Sequence, residues 1–231
     1  MRTLFSIALV AALATGCFGN ESTPLDDASV ADGSTSAFPP YLEPWEDPNE
    51  ADPPEATPTE MYPEEVVFIR RRWVGGAAAV HARAYVHADV STTFEAVRTP
   101  LAGADRRESV TFTWEDDVDS RVPWSHRSHL VIPDVVTVEF ELTWLSDIVE
   151  GNADAPTMTA TRWQKTWGTT AIPLLEGSIV CVRVTDTVTE LQIQYHLDSL
   201  GGGHETIEDY VTGYFESILA LVRGEPLPIQ E

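Results

Sequence analysis

Only two cysteines, Cys17 and Cys181, occur in the 231 residues. At most one intramolecular disulfide can form, so a disulfide-stapled scaffold is excluded. Basic residues are scarce as well: 14 Lys and Arg against 37 Asp and Glu leave a net charge of −23. Without a basic cluster there is neither a nucleic-acid footprint nor a polybasic patch for anionic lipid. No apolar run reaches the ~20 residues that cross a bilayer as a helix. Gly-x-Ser-x-Gly, the phosphate-binding loop and the dinucleotide fingerprint are missing too. The sequence therefore offers no support for a hydrolase elbow, a nucleotide-triphosphate site or a Rossmann site, and no cofactor is expected.

What is present begins at the N-terminus. Met1-Arg2 and an apolar stretch over residues 4–14 read as a signal peptide covering residues 1–16. The stretch ends in Leu13-Ala14-Thr15-Gly16-Cys17, which resembles a bacterial lipobox. That resemblance implies cleavage before Cys17 and lipidation of its thiol. Phe18 stands where an Asp would signal inner-membrane retention, so by resemblance to the sorting rule the expected location is the outer membrane, on its periplasmic face or at the cell surface. Cys181 is then the one remaining thiol. Its apolar surroundings, Ile179-Val180-Cys181-Val182, predict a small buried hydrophobe.

Residues 18–65 contain thirteen acidic side chains and no basic one, and residues 18–64 hold nine of the sixteen prolines. Their apolar content is thin and unperiodic. The composition predicts that residues 17–64 are the lipidated cysteine and a disordered, acidic, Pro-rich tether, reaching about 40 Å as a coil. Tyr41, Trp45 and Tyr62 are expected to decorate it.

From residue 65 onward the composition is that of a folded domain. Residues 206–223 place apolar side chains at Ile207, Tyr210, Val211, Tyr214, Phe215, Ile218, Leu219 and Val222, one continuous stripe of a helix. Thr206 with Asp209 is close to a capping box, and Gly224, Pro226 and Pro228 end the helix. Such a stripe needs a large apolar partner, and upstream lie strand-like runs. Ala78 to Ala88 alternates, with Val80, Ala82, Ala84, Val86 and Ala88 on one face and His81, Arg83, Tyr85 and His87 on the other. Residues 91–101 predict one or two short helices capped by Asp89 or Ser91. Alternating runs follow near residues 110–114, 126–132, 136–144, 158–167, 178–184 and 190–197, separated by Gly, Asn and Asp. The fold class is α+β: a curved antiparallel sheet of six to seven strands packed around a long C-terminal helix, with short helices after the first strand.

The strand-to-helix start His81 to Val97, the paired-tryptophan strand Trp163 to Trp167, Gly177 with the strand after it, and the closing helix with Gly224-Glu225-Pro226-Leu227-Pro228 together resemble the START-like superfamily, also called SRPBCC or helix-grip domains. The resemblance covers about residues 78–228 and implies a hydrophobic cavity between sheet and helix, with a lipid-like or polyketide-like ligand. The usual proline before the first helix is replaced by Val90-Ser91. A lipocalin is the rival all-β reading. Arg72-Trp73-Val74-Gly75 lacks the Gly-x-Trp spacing, however, and the helical segment at 91–101 argues against it.

The aromatic positions Phe112, Trp114, Phe140, Trp144, Trp163, Tyr195, Tyr210 and Tyr214 are the cavity candidates. Gly213, in mid-helix, suggests close approach of sheet or ligand. His126-x-x-His129 is a poor metal signal, because a spacing of three puts the two side chains on opposite strand faces. Residues 115–119 read as a solvated acidic loop, since they lack the pattern of a calcium loop. No metal and no catalytic residue are assigned. The expected function is binding of a hydrophobic ligand by a membrane-anchored lipoprotein. The alternatives are a cyclase-like enzyme of the same fold and a solid-core interaction domain of the envelope.

Overall fold

The computed structural model describes residues 37–133 and 137–229. The leader, Cys17 and residues 18–36 lie outside them. Eight strands form one antiparallel sheet: β1 (Val66–Arg72), β2 (Ala78–Val86), β3 (Thr111–Asp116), β4 (Trp124–Ile132), β5 (Val138–Asn152), β6 (Ala155–Gly168), β7 (Leu174–Thr185) and β8 (Val188–Asp198). Their order in the sheet is β1-β2-β8-β7-β6-β5-β4-β3. The eighth strand, beyond the six to seven expected, is β1. Its run of three arginines broke the alternation by which strands are recognised. All the same, it pairs with β2 along its whole length.

Two helices cover the concave face. Helix α1 (Val90–Val97) is capped by Asp89, whose carboxylate accepts from the Thr92 backbone N–H at 2.8 Å. Helix α2 (His204–Arg223) begins two residues before the predicted start. Thr206 is therefore not the cap. Its hydroxyl reaches back to accept from the Gly203 N–H at 3.3 Å. Gly224, at φ +66°, closes the helix in the left-handed conformation that glycine adopts without strain. The predicted stripe does face the sheet: Ile207, Val211, Tyr214, Phe215 and Ile218 are buried in one core with Val80, Ala82, Ala84, Leu191 and Ile193. Gly213 departs from expectation, because a Cβ there would meet nothing within 4 Å. No close approach explains it.

The convex face overturns the tether reading for residues 37–64. This segment is a strap lying across the sheet. Leu42, with no exposed surface, enters a second small core with Val122, Leu145 and Ala160. The Trp45 ring lies 3.5 Å under the Arg162 guanidinium, and its Nε1–H donates to the Gly177 carbonyl at 3.1 Å. Asn49 Nδ2 donates to the carbonyls of Ala82 and Ile193 at 3.3 and 3.0 Å. Tyr62 packs edge-on against Tyr85, and Glu64 pairs with Arg223 at the end of α2. The composition concealed this because the strap binds through separate anchors rather than through a periodic face.

At the centre of the strap, one oxygen of Glu46 lies 2.9 Å from His81 Nε2 and 3.0 Å from His196 Nε2. Both imidazoles are fully buried. His81 Nδ1 accepts from the Glu50 backbone N–H at 3.0 Å, so its proton sits on Nε2 and points at Glu46. His196 Nδ1 faces Glu176 at 2.9 Å, and Trp73 stacks on the ring with centroids 4.1 Å apart. Burial alone would raise the Glu46 carboxyl; the hydrogen bonds and charges of the two histidines outweigh it and hold the group below the ordinary carboxylate value.

Candidate functional site: a cavity under the closing helix

Strand register sets one row of side chains across the concave face. Val80 pairs with Tyr195, Tyr195 with Gly177, Gly177 with Trp163, Trp163 with Trp144, Trp144 with His126, and His126 with Asp116. Directly opposed residues of an antiparallel pair point to the same side, so this row forms one continuous floor. Its rings touch: Tyr195 to Trp163 at 5.6 Å, Trp163 to Trp144 at 4.7 Å and 23°, Trp144 to His126 at 5.4 Å and 13°. Gly177 makes this possible, because a Cβ there would lie 2.1 Å from the Trp163 ring.

Over the β3–β5 end of this floor the structure is hollow. A cavity of about 530 Å³ opens between the sheet, the N-terminal half of α2 and the segment 100–109. Its walls are mostly apolar: Phe112, Leu130, Phe140, Leu142, Trp144, Leu175, Leu197 and Ile207. The polar groups are few. Tyr195 and Tyr210 border it, Ser128 sits on the floor, and Asp105 and Arg107 stand together at one side with Nε–Oδ1 at 2.9 Å. Ser128 is engaged already, accepting from Trp144 Nε1 at 3.1 Å. The Tyr210 hydroxyl donates weakly to the Gly103 carbonyl at 3.4 Å, whereas no hydrogen bond is made by the Tyr195 hydroxyl to any described residue. Burial, reinforced by Tyr210, drives the Tyr195 phenol well above its ordinary value, so it stays a neutral donor.

The segment 100–109 is fixed over the cavity by Arg106. Its guanidinium donates to Ser217 Oγ at 3.0 Å on α2, to the Pro228 carbonyl at 3.2 Å and to the Leu101 carbonyl at 3.0 Å. Such a polar clamp leaves no trace in sequence periodicity, and Arg106 was not among the expected residues.

Of the eight predicted cavity residues, Phe112, Phe140, Trp144, Tyr195 and Tyr210 line the space. Three do not. Trp114 lies on the edge strand β3, past the cover of the helices, and is 44% exposed. Trp163 is packed between Trp144 and Tyr195, so its ring supports the floor without reaching the void. Tyr214 turns its hydroxyl to the Val97 carbonyl at 2.6 Å and joins α2 to α1. Periodicity, of strand or helix, identified the face in each case; it could not say where along the face the packing stops. Leu130, Ile132, Val138, Leu142, Leu175, Leu197 and Ile207 also line it and are aliphatic, where the expected residues were aromatic; Val138, Leu142, Leu197 and Ile207 share a strand or the helix stripe with expected residues, whereas Leu130, Ile132 and Leu175 stand on β4 and β7, which carry none.

His126 and His129 take opposite faces of β4, as the spacing of three required. His126 stacks on Trp144, and His129 Nε2 meets Glu139 at 3.0 Å. Cys181 is buried and free, its thiol pushed by burial up to about 12. It has no part in the cavity lining.

No protein-family model and no curated protein matches the sequence. Among solved structures, the chain is similar to human StAR-related lipid transfer protein 5, with 12% identity over 71% of this chain and 84% of that one and a TM-score of 0.48. It is similar to the lipid transfer and protein localization domain of human StarD13, with 13% identity over 78% and 90% and a TM-score of 0.46. A third is the Zhui aromatase/cyclase from Streptomyces sp. R1128, with 12% identity over 64% and 92% and a TM-score of 0.44. In its own element order, eight antiparallel strands curving around α2 with α1 after β2, the chain has the START-like, helix-grip fold.

Proposed function

We propose that this protein binds a hydrophobic small molecule or lipid in the cavity beneath α2 and does so tethered to a membrane through an acyl chain on Cys17. The observation that carries the ligand reading is the cavity of about 530 Å³, walled by aliphatic and aromatic side chains. Its volume lies within the range of roughly 300–1,000 Å³ typical of ligand sites, and it far exceeds what a solid core would leave. Binding would come from burial of apolar area, at about 25 cal/mol per Å². Tyr195 supplies a hydrogen-bond donor for a carbonyl, ether or hydroxyl oxygen of the ligand. The leader and the Leu13-to-Cys17 pattern support the anchor and, with Phe18, an outer-membrane location.

One experiment addresses both parts. The native protein, purified from the detergent-soluble membrane fraction, is weighed by intact mass spectrometry and then extracted with organic solvent. A mature chain beginning at an acylated Cys17 and a stoichiometric apolar compound in the extract are expected. An extract without ligand, together with no uptake of N-phenyl-1-naphthylamine by the purified protein, would remove the binding role. An unmodified Cys17 would remove the anchor alone.

A further inference from the structure

The polar groups of the cavity wall are sorted by depth. Asp105 and Arg107 are its only charged side chains among the described residues. They are 20% and 40% exposed and bound to each other, so both charges sit at the solvent side of the wall and are matched there. The buried part of the wall is uncharged, and its spare hydrogen-bonding capacity is of one kind. Tyr195 is 6% exposed, and its hydroxyl has no partner among the described residues. That oxygen is not among the sealed polar atoms that lack a partner, so it reaches open space, and the cavity is the space Tyr195 borders. Ser128, also buried, accepts from Trp144 Nε1, and its own proton is left over. Buried polar groups are normally satisfied; here two neutral donors are left without an acceptor.

That imbalance selects the chemistry of the ligand's inner end. The Gly103 carbonyl, which borders the same space, already receives the Tyr210 hydroxyl. A ligand hydroxyl would bring a further proton to a wall with protons to spare. A carbonyl brings only lone pairs and takes one of those protons. An ionised head group does not suit this depth, because burying an unpaired carboxylate costs far more than a neutral hydrogen bond returns.

We propose that the ligand is an uncharged carbonyl compound, its carbonyl oxygen innermost on the Tyr195 hydroxyl and its apolar body reaching toward Asp105 and Arg107. This rests on the reading that the cavity binds an apolar ligand, and adds to it a chemical class and an orientation.

The test uses prodan, a dimethylaminonaphthalene bearing one propionyl group, whose emission moves to the red when its ketone accepts a hydrogen bond. N-phenyl-1-naphthylamine, of similar size but without a carbonyl, is the control. The Tyr195 hydroxyl makes no contact that the fold needs, so Tyr195→Phe is the informative variant of the full chain. It should bind prodan about threefold to tenfold more weakly, as the loss of one neutral hydrogen bond gives, with emission to the blue of the wild-type complex. Binding of N-phenyl-1-naphthylamine should change less than about twofold by the same reasoning. Two measurements need no variant. The ketone stretch of prodan bound to wild type should lie below its position in hexane. Methyl nonyl ketone should displace N-phenyl-1-naphthylamine at least about tenfold better than undecanoate does. If wild type takes up no N-phenyl-1-naphthylamine, the cavity reading fails and this proposal with it. Uptake of that control with prodan unmoved by Tyr195→Phe, a ketone stretch at the hexane position, or equal displacement by undecanoate would overturn the proposal and leave the cavity reading standing.

Discussion

The two faces of the sheet are covered by opposite means. On the concave side an amphipathic helix presses a wide apolar stripe onto small and aromatic residues; the packing is solid at one end and open at the other. On the convex side an irregular strap is pinned by Leu42, Trp45, Glu46 and Asn49, each in its own socket. Apolar contact is non-directional, so it tolerates an imperfect fit and can leave a void of ligand size. Polar anchoring is directional. A carboxylate serving two buried imidazoles must be in place or leave buried ring nitrogens without their partner.

The sharpest way to break this contrast is at Phe215, buried in the solid part of the core. Phe215→Ala should destabilise the fold by about 3–5 kcal/mol, measured by denaturant unfolding. A loss no larger than that of an exposed residue would mean that α2 does not seal the sheet there.

Next in size is the strap. Glu46→Ala orphans the Nε2–H of His81 and removes the partner of His196 Nε2, and should cost about 1–3 kcal/mol, with hydrogen exchange speeding up in residues 37–65 and little changed in α2. The pH dependence has a definite sign. The folded Glu46 carboxyl is held below its ordinary value of 4.5. Its contribution is therefore complete above that value and is lost as pH falls from there through the depressed folded value. Exchange in the strap should rise over that acid window in the wild type and stay flat in Glu46→Ala.

The smallest change in stability, and the most informative for ligand binding, is Leu142→Trp. The added ring enters open space, so stability should shift by less than about 1.5 kcal/mol, yet uptake of N-phenyl-1-naphthylamine should disappear. Retained uptake would place the binding site elsewhere.

Which parts were legible follows from the same contrast. The stripe from Ile207 to Val222 and the alternation from Val80 to Val86 are periodic, and periodicity reports one buried face. Both were readable, as were the short helix after β2 and the Gly224 stop. β1 was obscured because Arg70, Arg71 and Arg72 send their charges to Glu208, Glu50 and the Gly76 carbonyl while their backbone pairs normally with β2. The strap was unreadable for a stronger reason. Its acidic, Pro-rich composition is that of a disordered segment, and what holds it is partners 23 to 159 positions away in the chain. Within the cavity, sequence placed Phe112, Phe140 and Tyr195 on the inner face. The end of the helical cover, which leaves Trp114 in solvent, is a three-dimensional fact with no local signature.

The strap also sets a length. With Phe38 already packed against the second core, twenty-one peptide steps separate it from Cys17. Whatever course they follow, they span no more than about 70 Å. Were residues 37–65 undocked, the leash would grow to about 170 Å. On the proposed acylation of Cys17, the anchors of the strap, the glutamate wedged between two imidazoles among them, would limit how far the domain roams from a bilayer.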